Sequence, residues 1–168
     1  MQKIDELLLA MMDYEARTPD RIQHFVKVHE FTRLLGFLEG LDAHTRLVSR
    51  AAAVVHDIGI RPALQKYGSC DGPYQEQEGP APARDLLTRL GWETADIDRI
   101  CYLVGHHHTY TGVAGTDYQI LIEADFLVNL YEGGASQDAI DNAYQHIFKT
   151  KSGKMLFEKM FPVQKPEV

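Results

Sequence analysis

"AAAVVHDIG", residues 51–59, places a histidine and an aspartate at the end of a run of alanine and valine that is apolar on every side of a helix. A helix with no polar face belongs in a protein interior. An imidazole and a carboxylate are costly there unless they pair with each other or bind a cation. A helix cap would explain Asp57 alone, but not His56 as well.

Around this stretch the apolar periodicity is helical almost throughout, with no convincing β-hairpin. The pattern predicts helices over roughly 2–16, 19–39, 42–59, 76–90, 95–107, 117–132, 136–150 and 152–160. Thr18-Pro19 reads as a cap with proline at the first helical position, Asp42 as the cap of the third helix, and Gly59 as its C-terminal glycine. Two stretches, "KYGSCDGPYQ" (66–75) and "TYTGVAGT" (109–116), read as loops. The fold class is therefore all-α, a single-domain helical bundle over 1–168, with its core in about 15–135, C-terminal helices in 136–160 and a frayed tail "FPVQKPEV".

The chain has 168 residues, enough for one core and short for two. A formal charge of −7 argues against a duplex nucleic acid binder, which needs a basic stripe. Cys70 and Cys101 form no zinc-finger spacing and read as reduced thiols. No apolar run approaches 18 residues, so no membrane span is expected and the location predicted is cytoplasmic.

Further histidines and acids stand out by position. His24 shares a helical stripe with Val28, Phe31, Leu35 and Leu38 and so faces the core; on its own it reads as a core histidine satisfied by a carbonyl. His29 lies about 140° around the same helix. In "YQILIEADFLVNLYE" (118–132), Asp125 is flanked at helical spacing by Leu121, Ile122 and Val128, which turns a carboxylate inward. Such a group wants a metal or a base as partner. "GHHHTY" (105–110) adds His106, His107 and His108, of which two can enter one cleft.

The set His24 … His56-Asp57 … Asp125 resembles the H…HD…D signature of the HD-domain phosphohydrolase superfamily. The resemblance is carried by flanking residues too. Arg21 precedes His24 by three, Lys27-Val28 follow it, "GLD" (40–42) stands at the family's turn, and "EADFLVNLY" is similar to the segment bearing the last aspartate. It spans about residues 15–135 and implies a helical bundle of the HD-domain type. It further implies a divalent metal (Fe, Mn, Co, Ni or Mg, one or two ions) on His24, His56, Asp57 and Asp125. One departure is Gln75, at the position where dinuclear members carry a histidine ahead of a pattern like "ARDLLTRLG" (83–91).

The resemblance points to a metal-dependent phosphohydrolase acting on a nucleotide or other small phosphorylated metabolite. His106, His107, Glu76 and Glu78 are candidates for a second ion or for substrate, and Asp57, His107 and His108 for catalysis. Arg21, Lys27, Arg61 and Lys66 are candidates to neutralise phosphate, and Tyr67, Tyr74 and Tyr110 to wall the pocket. Two alternatives stay open: an inactive HD-like sensor of a nucleotide or metal, and a di-iron oxygenase-like protein. Oligomeric state is not legible.

Overall fold

In the computed structural model, which describes residues 2–163, the chain is built from ten helices. They are α1 (Lys3–Tyr14), α2 (Pro19–Leu38), α3 (Ala43–Val55), α4 (Ile60–Tyr67), α5 (Gly72–Glu78), α6 (Pro80–Arg89), α7 (Thr94–Val104), α8 (Thr116–Glu132), α9 (Gln137–His146) and α10 (Lys151–Met160). No described strand interrupts them. The all-α expectation holds; most of the tail predicted to fray lies outside the described residues.

α3 is the axis of the molecule. Its Ala51, Ala52, Ala53, Val54 and Val55 are fully buried, and their small side chains let α2, α7, α8 and α1 close around it. Asp42 caps it as read from the sequence, accepting from the backbone N–H groups of His44 and Thr45 at 2.9 and 3.0 Å. Thr18 precedes Pro19 at the start of α2, but its hydroxyl turns back to Glu15 instead of capping the helix. A smaller apolar cluster on the far side of α8 holds Phe148 and Phe157 against Leu127 and Ile140, fixing α9 and α10.

The third helix ends earlier than its pattern predicts, at Val55, and His56–Gly59 forms a turn into a helix the sequence reading missed, α4. Gly59 has an ordinary right-handed conformation (φ −71°), so it is not a C-terminal glycine of the left-handed kind. A Cβ there would stand 2.5 Å from the Gln75 carbonyl oxygen and 2.9 Å from the Gly79 backbone. Glycine is needed because two turns touch, not because the chain reverses hand.

The predicted loop 66–75 shrinks to residues 68–71, and the predicted helix 76–90 is two helices, α5 and α6, meeting at Gly79-Pro80. Proline lacks the N–H an uninterrupted helix would use there. The His106–His108 run lies on a turn after α7, not within a helix reaching 107. Among the described residues, no helix is long and apolar enough to cross a membrane.

Candidate metal centre

The end of α3 aims His56. Its Nδ1 donates to the Ala53 carbonyl at 2.8 Å, one of the acceptors freed where the helix stops. That bond fixes the tautomer and leaves the Nε2 lone pair facing inward. The same local device recurs at the end of α7, where His107 Nδ1 donates to the Val104 carbonyl at 2.8 Å. His24, from α2, is held through Nδ1 by Glu132 of α8 at 2.8 Å. Three buried imidazoles thus turn Nε2 toward one region.

Around two of them the acceptors close in. His24 Nε2 lies 3.3 Å from His56 Nε2, 3.1 Å from Asp125 Oδ1 and 3.4 Å from Asp57 Oδ2. His56 Nε2 lies 3.3 Å from Asp57 Oδ2 and 3.4 Å from Asp125 Oδ1. With both Nδ1 atoms acting as donors elsewhere, neutral histidines present two lone pairs to two carboxylates, and no hydrogen is available between them. A cation is the remedy. Two ligands about 2.1 Å from one ion sit about 3.0 Å apart at right angles and about 3.4 Å apart in a tetrahedron, which matches the spacing of the two imidazoles from each other and from each carboxylate. His24, His56 and Asp57 form a group spaced for a metal, with Asp125 beside the two imidazoles. The donor set fits a divalent metal.

Without an ion, protons take its place. Burial alone would strip charge from His24 and His56, but Asp125 and Asp57 outweigh it and raise both histidines, His56 strongly. Against the same burial, the histidines hold Asp57 and Asp125 well below the usual carboxylate range.

Asp57 also faces the other way, with Oδ1 3.4 Å from His107 Nε2. His107 Nε2, His108 Nε2 and Gln75 Oε1 are all buried without a hydrogen-bond partner, and Asp57, His107 and His108 form a second group spaced for a metal. Gln75 is oriented by its amide N–H, which donates to the Cys70 carbonyl at 2.8 Å and leaves the oxygen as the free end. Unpaired buried acceptors of this kind are rare in native proteins.

Several candidates fall elsewhere. His106 is not paired with His107 at the cluster: its Nδ1 donates to the Tyr102 carbonyl, and its ring stacks on Tyr102 at 4.2 Å. Consecutive residues on a turn diverge, and His107 and His108 are the two that face Asp57. Glu76 pins this turn by accepting from the His108 N–H and the Thr109 hydroxyl, both at 2.9 Å. Glu78 pairs with Lys66 at 2.8 Å and with the Tyr67 hydroxyl. Tyr67 and Tyr74 stack on each other at 4.3 Å, bracing α4 against α5. Arg61 lies over the Tyr14 ring, 3.7 Å from buried Glu15.

The cluster floors a cleft of about 390 Å³, lined by Asp20, Arg21, Cys70, Asn129 and Glu132 among others. Arg21 reaches it while paired to Glu15 at 3.1 Å, and Lys27 sits at Glu132, 3.0 Å away. Burial, with His107 next to it, pushes His108 down to about 4. His108 therefore presents an imidazole lone pair at neutral pH. Asn129 and Glu132 were missed by sequence reading. Both follow Asp125 on its own helix face, at i+4 and i+7, and Asn129 Nδ2 donates to Asp125 Oδ1 at 2.8 Å.

No family model and no curated protein matches the sequence. The fold is matched by the crystal structure of a predicted HD superfamily hydrolase from an uncultured Thermotogales bacterium. The TM-score is 0.66 at 22% identity, over 93% of this chain and 83% of that one. The chain has the all-α HD-domain fold. At this identity the likeness speaks for the architecture; the chemistry rests on the residues above.

Proposed function

We propose that this protein is a metal-dependent phosphohydrolase that cleaves a phosphate ester or anhydride in a nucleotide or other small phosphorylated metabolite. One observation carries the reading: two imidazole Nε2 atoms lie 3.1–3.4 Å from each other and from oxygens of both Asp57 and Asp125, on the floor of an open cleft. His24, His56, Asp57 and Asp125 would hold one divalent ion. His107, His108, Asp57 and the Gln75 amide oxygen would hold a second. Such ions supply an activated water near neutral pH and a charge that polarises the phosphoryl group.

The chain's own residues do the rest. Glu132, held by Lys27, keeps His24 in the tautomer that points Nε2 inward. The Ala53 and Val104 carbonyls do the same for His56 and His107. Asp57, as a carboxylate facing both groups, is placed to accept a hydrogen bond from a nucleophile and orient it between them. Arg21 at the cleft wall offers a guanidinium to a phosphoryl oxygen. The acidic balance of the chain favours a small substrate over duplex nucleic acid.

The test is elemental analysis of protein prepared without added metal, followed by turnover of phosphate esters and nucleotides after loading with Mn, Fe, Co, Ni or Mg. Metal binding and turnover both lost in Asp57→Ala, with helicity kept, is the expected result. Metal bound without turnover on any phosphate ester or anhydride would instead favour a sensor.

A further inference from the structure

Outside the cleft, a second pocket of about 440 Å³ is lined by Arg33 and Phe37 of α2 and by Ala43, Arg46, Leu47 and Arg50 of α3. It shares no lining residue with the cleft. Along α2 it lies about 14 Å from His24, nine residues away at about 1.5 Å each.

Three guanidiniums in one pocket is unusual for a chain of net charge −7, and they are not equally neutralised. Arg33 is bound to Glu30 through Nε and Nη2. Arg46 and Arg50 have no carboxylate partner within ion-pair distance among the described residues. The Arg46 stem lies across Gly36 of α2, where a Cβ would stand 3.4 Å from its Cγ. Arg50 Nε donates to His29 Nε2 at 3.1 Å, and buried His29 is held neutral, with its pKa down to about 4. That bond anchors Arg50 by its Nε and leaves its two terminal nitrogens without a carboxylate. Of the nearby acids, Glu30 is engaged by Arg33 and Asp5 acts on Arg50 from α1. Arg46 and Arg50 stand one turn apart on α3 at the same pocket, Arg33 adds its positive charge to Arg50, and an anion bound there would offset this excess. Phe37 stands at the pocket 66% exposed, an aromatic face beside the charges.

We propose that this α2–α3 pocket is a second binding site, separate from the metal cleft, for a nucleoside diphosphate: Arg46 and Arg50 take the phosphates bidentately and Phe37 stacks on the base. The pocket's volume lies in the range of small-ligand sites. The site does not depend on the hydrolase reading, because none of its residues belongs to the metal centre.

The test uses chelated full-length protein, so that no metal recruits the ligand to the cleft. ADP is titrated and followed by calorimetry and by ¹⁵N amide shifts. Binding is expected to perturb amides in 33–50, to weaken roughly tenfold or more in Arg46→Gln, and to fall with salt. Arg46→Gln is chosen because Arg50→Gln would also strip buried His29 of its donor. Phe37→Ala is expected to weaken ADP but not pyrophosphate, and turnover at the cleft is expected to persist in Arg46→Gln. No ADP binding, or shifts confined to cleft residues 20–24, 57 and 108 with Arg46→Gln silent, overturns the site. Equal affinity for ADP and pyrophosphate overturns the stacking role of Phe37. Absence of turnover in metal-loaded wild-type protein, with ADP binding intact, would count against the hydrolase reading alone.

Discussion

α8 carries two buried carboxylates two residues apart, and the structure gives them opposite roles. Glu123 is fully buried, yet its Oε1 accepts from the Lys149 and Thr150 backbone N–H groups at 2.7 and 2.9 Å and from Gln119 Nε2 at 2.8 Å, while Thr150 Oγ1 bonds Oε2. It anchors the start of α10. Asp125 instead meets two histidines and Asn129. Glu123→Ala would orphan two backbone donors and two side-chain donors at once. At roughly 1–3 kcal/mol for each buried unsatisfied group, with some relaxation, the expected cost is about 4 kcal/mol. That cost should be the same with or without metal. Asp125→Asn keeps an oxygen for Asn129 but removes the charge facing His24 and His56, and should cost about 3 kcal/mol in chelated protein. It should, however, remove the increment metal gives: about 2.7 kcal/mol at a hundredfold excess over Kd, or about 5–11 °C in Tm for a chain of this size. Urea and thermal unfolding by circular dichroism, in EDTA and in excess Mn²⁺, measure both variants. An Asp125→Asn protein that keeps the full metal increment would refute the ligand assignment. So would a Glu123→Ala protein that is as stable as wild type in EDTA.

Gly153→Ala should lower stability by about 2–3 kcal/mol or more, because a Cβ there would lie 1.9 Å from Glu123 Oε2; thermal melts test it. His29, buried and lowered to about 4, is neutral when folded but takes a proton near pH 6.5 when unfolded. Its share of stability is thus present above about pH 6.5 and is lost as pH falls toward 4. Allowing for partial solvent screening this is about 2 kcal/mol, and metal-loaded His29→Gln should show the flatter acid limb in urea titrations. Gln75→His should strengthen the second ion's site, since an imidazole binds a transition metal better than an amide oxygen; elemental analysis should then find closer to two equivalents. His107→Phe should lose the second equivalent while His106→Ala retains it, and equal losses would contradict the division between these neighbours.

Much of this was legible in the chain. Burial of His56 followed from the apolar run around it, because such a helix has no face to give to water; Asp57 beside it is only half-buried, at the cleft. The inward turn of His24 and Asp125 followed from 3.6-residue periodicity, and the helical class from the same rule. Boundaries were less legible. α4 was missed because Gly59 looks like a stop, whereas it is a glycine for the close approach of α5 and α6, a reason that exists only once those helices are packed. Glu123 was passed over because its partners, Lys149 and Thr150, are 26 and 27 residues away. His106 was given His107's neighbourhood because nothing local says how a turn will splay three identical side chains.

By itself the sequence determined that the chain is helical, that its imidazoles and carboxylates are placed where only partners or cations make them tolerable, and which four of them stand in the H…HD…D pattern. Local periodicity and the cost of burying charge suffice for the first two; the four were picked out by the resemblance to the HD-domain signature. Tertiary structure alone decided that Asp57 faces two groups, that His107 and His108 rather than His106 face it, and that Arg61 and Lys66 lie with other partners. It also brought Glu132 to His24 and set two unpaired arginines beside Phe37. These depend on distances between helices far apart in the chain, which close packing fixes and no local pattern encodes.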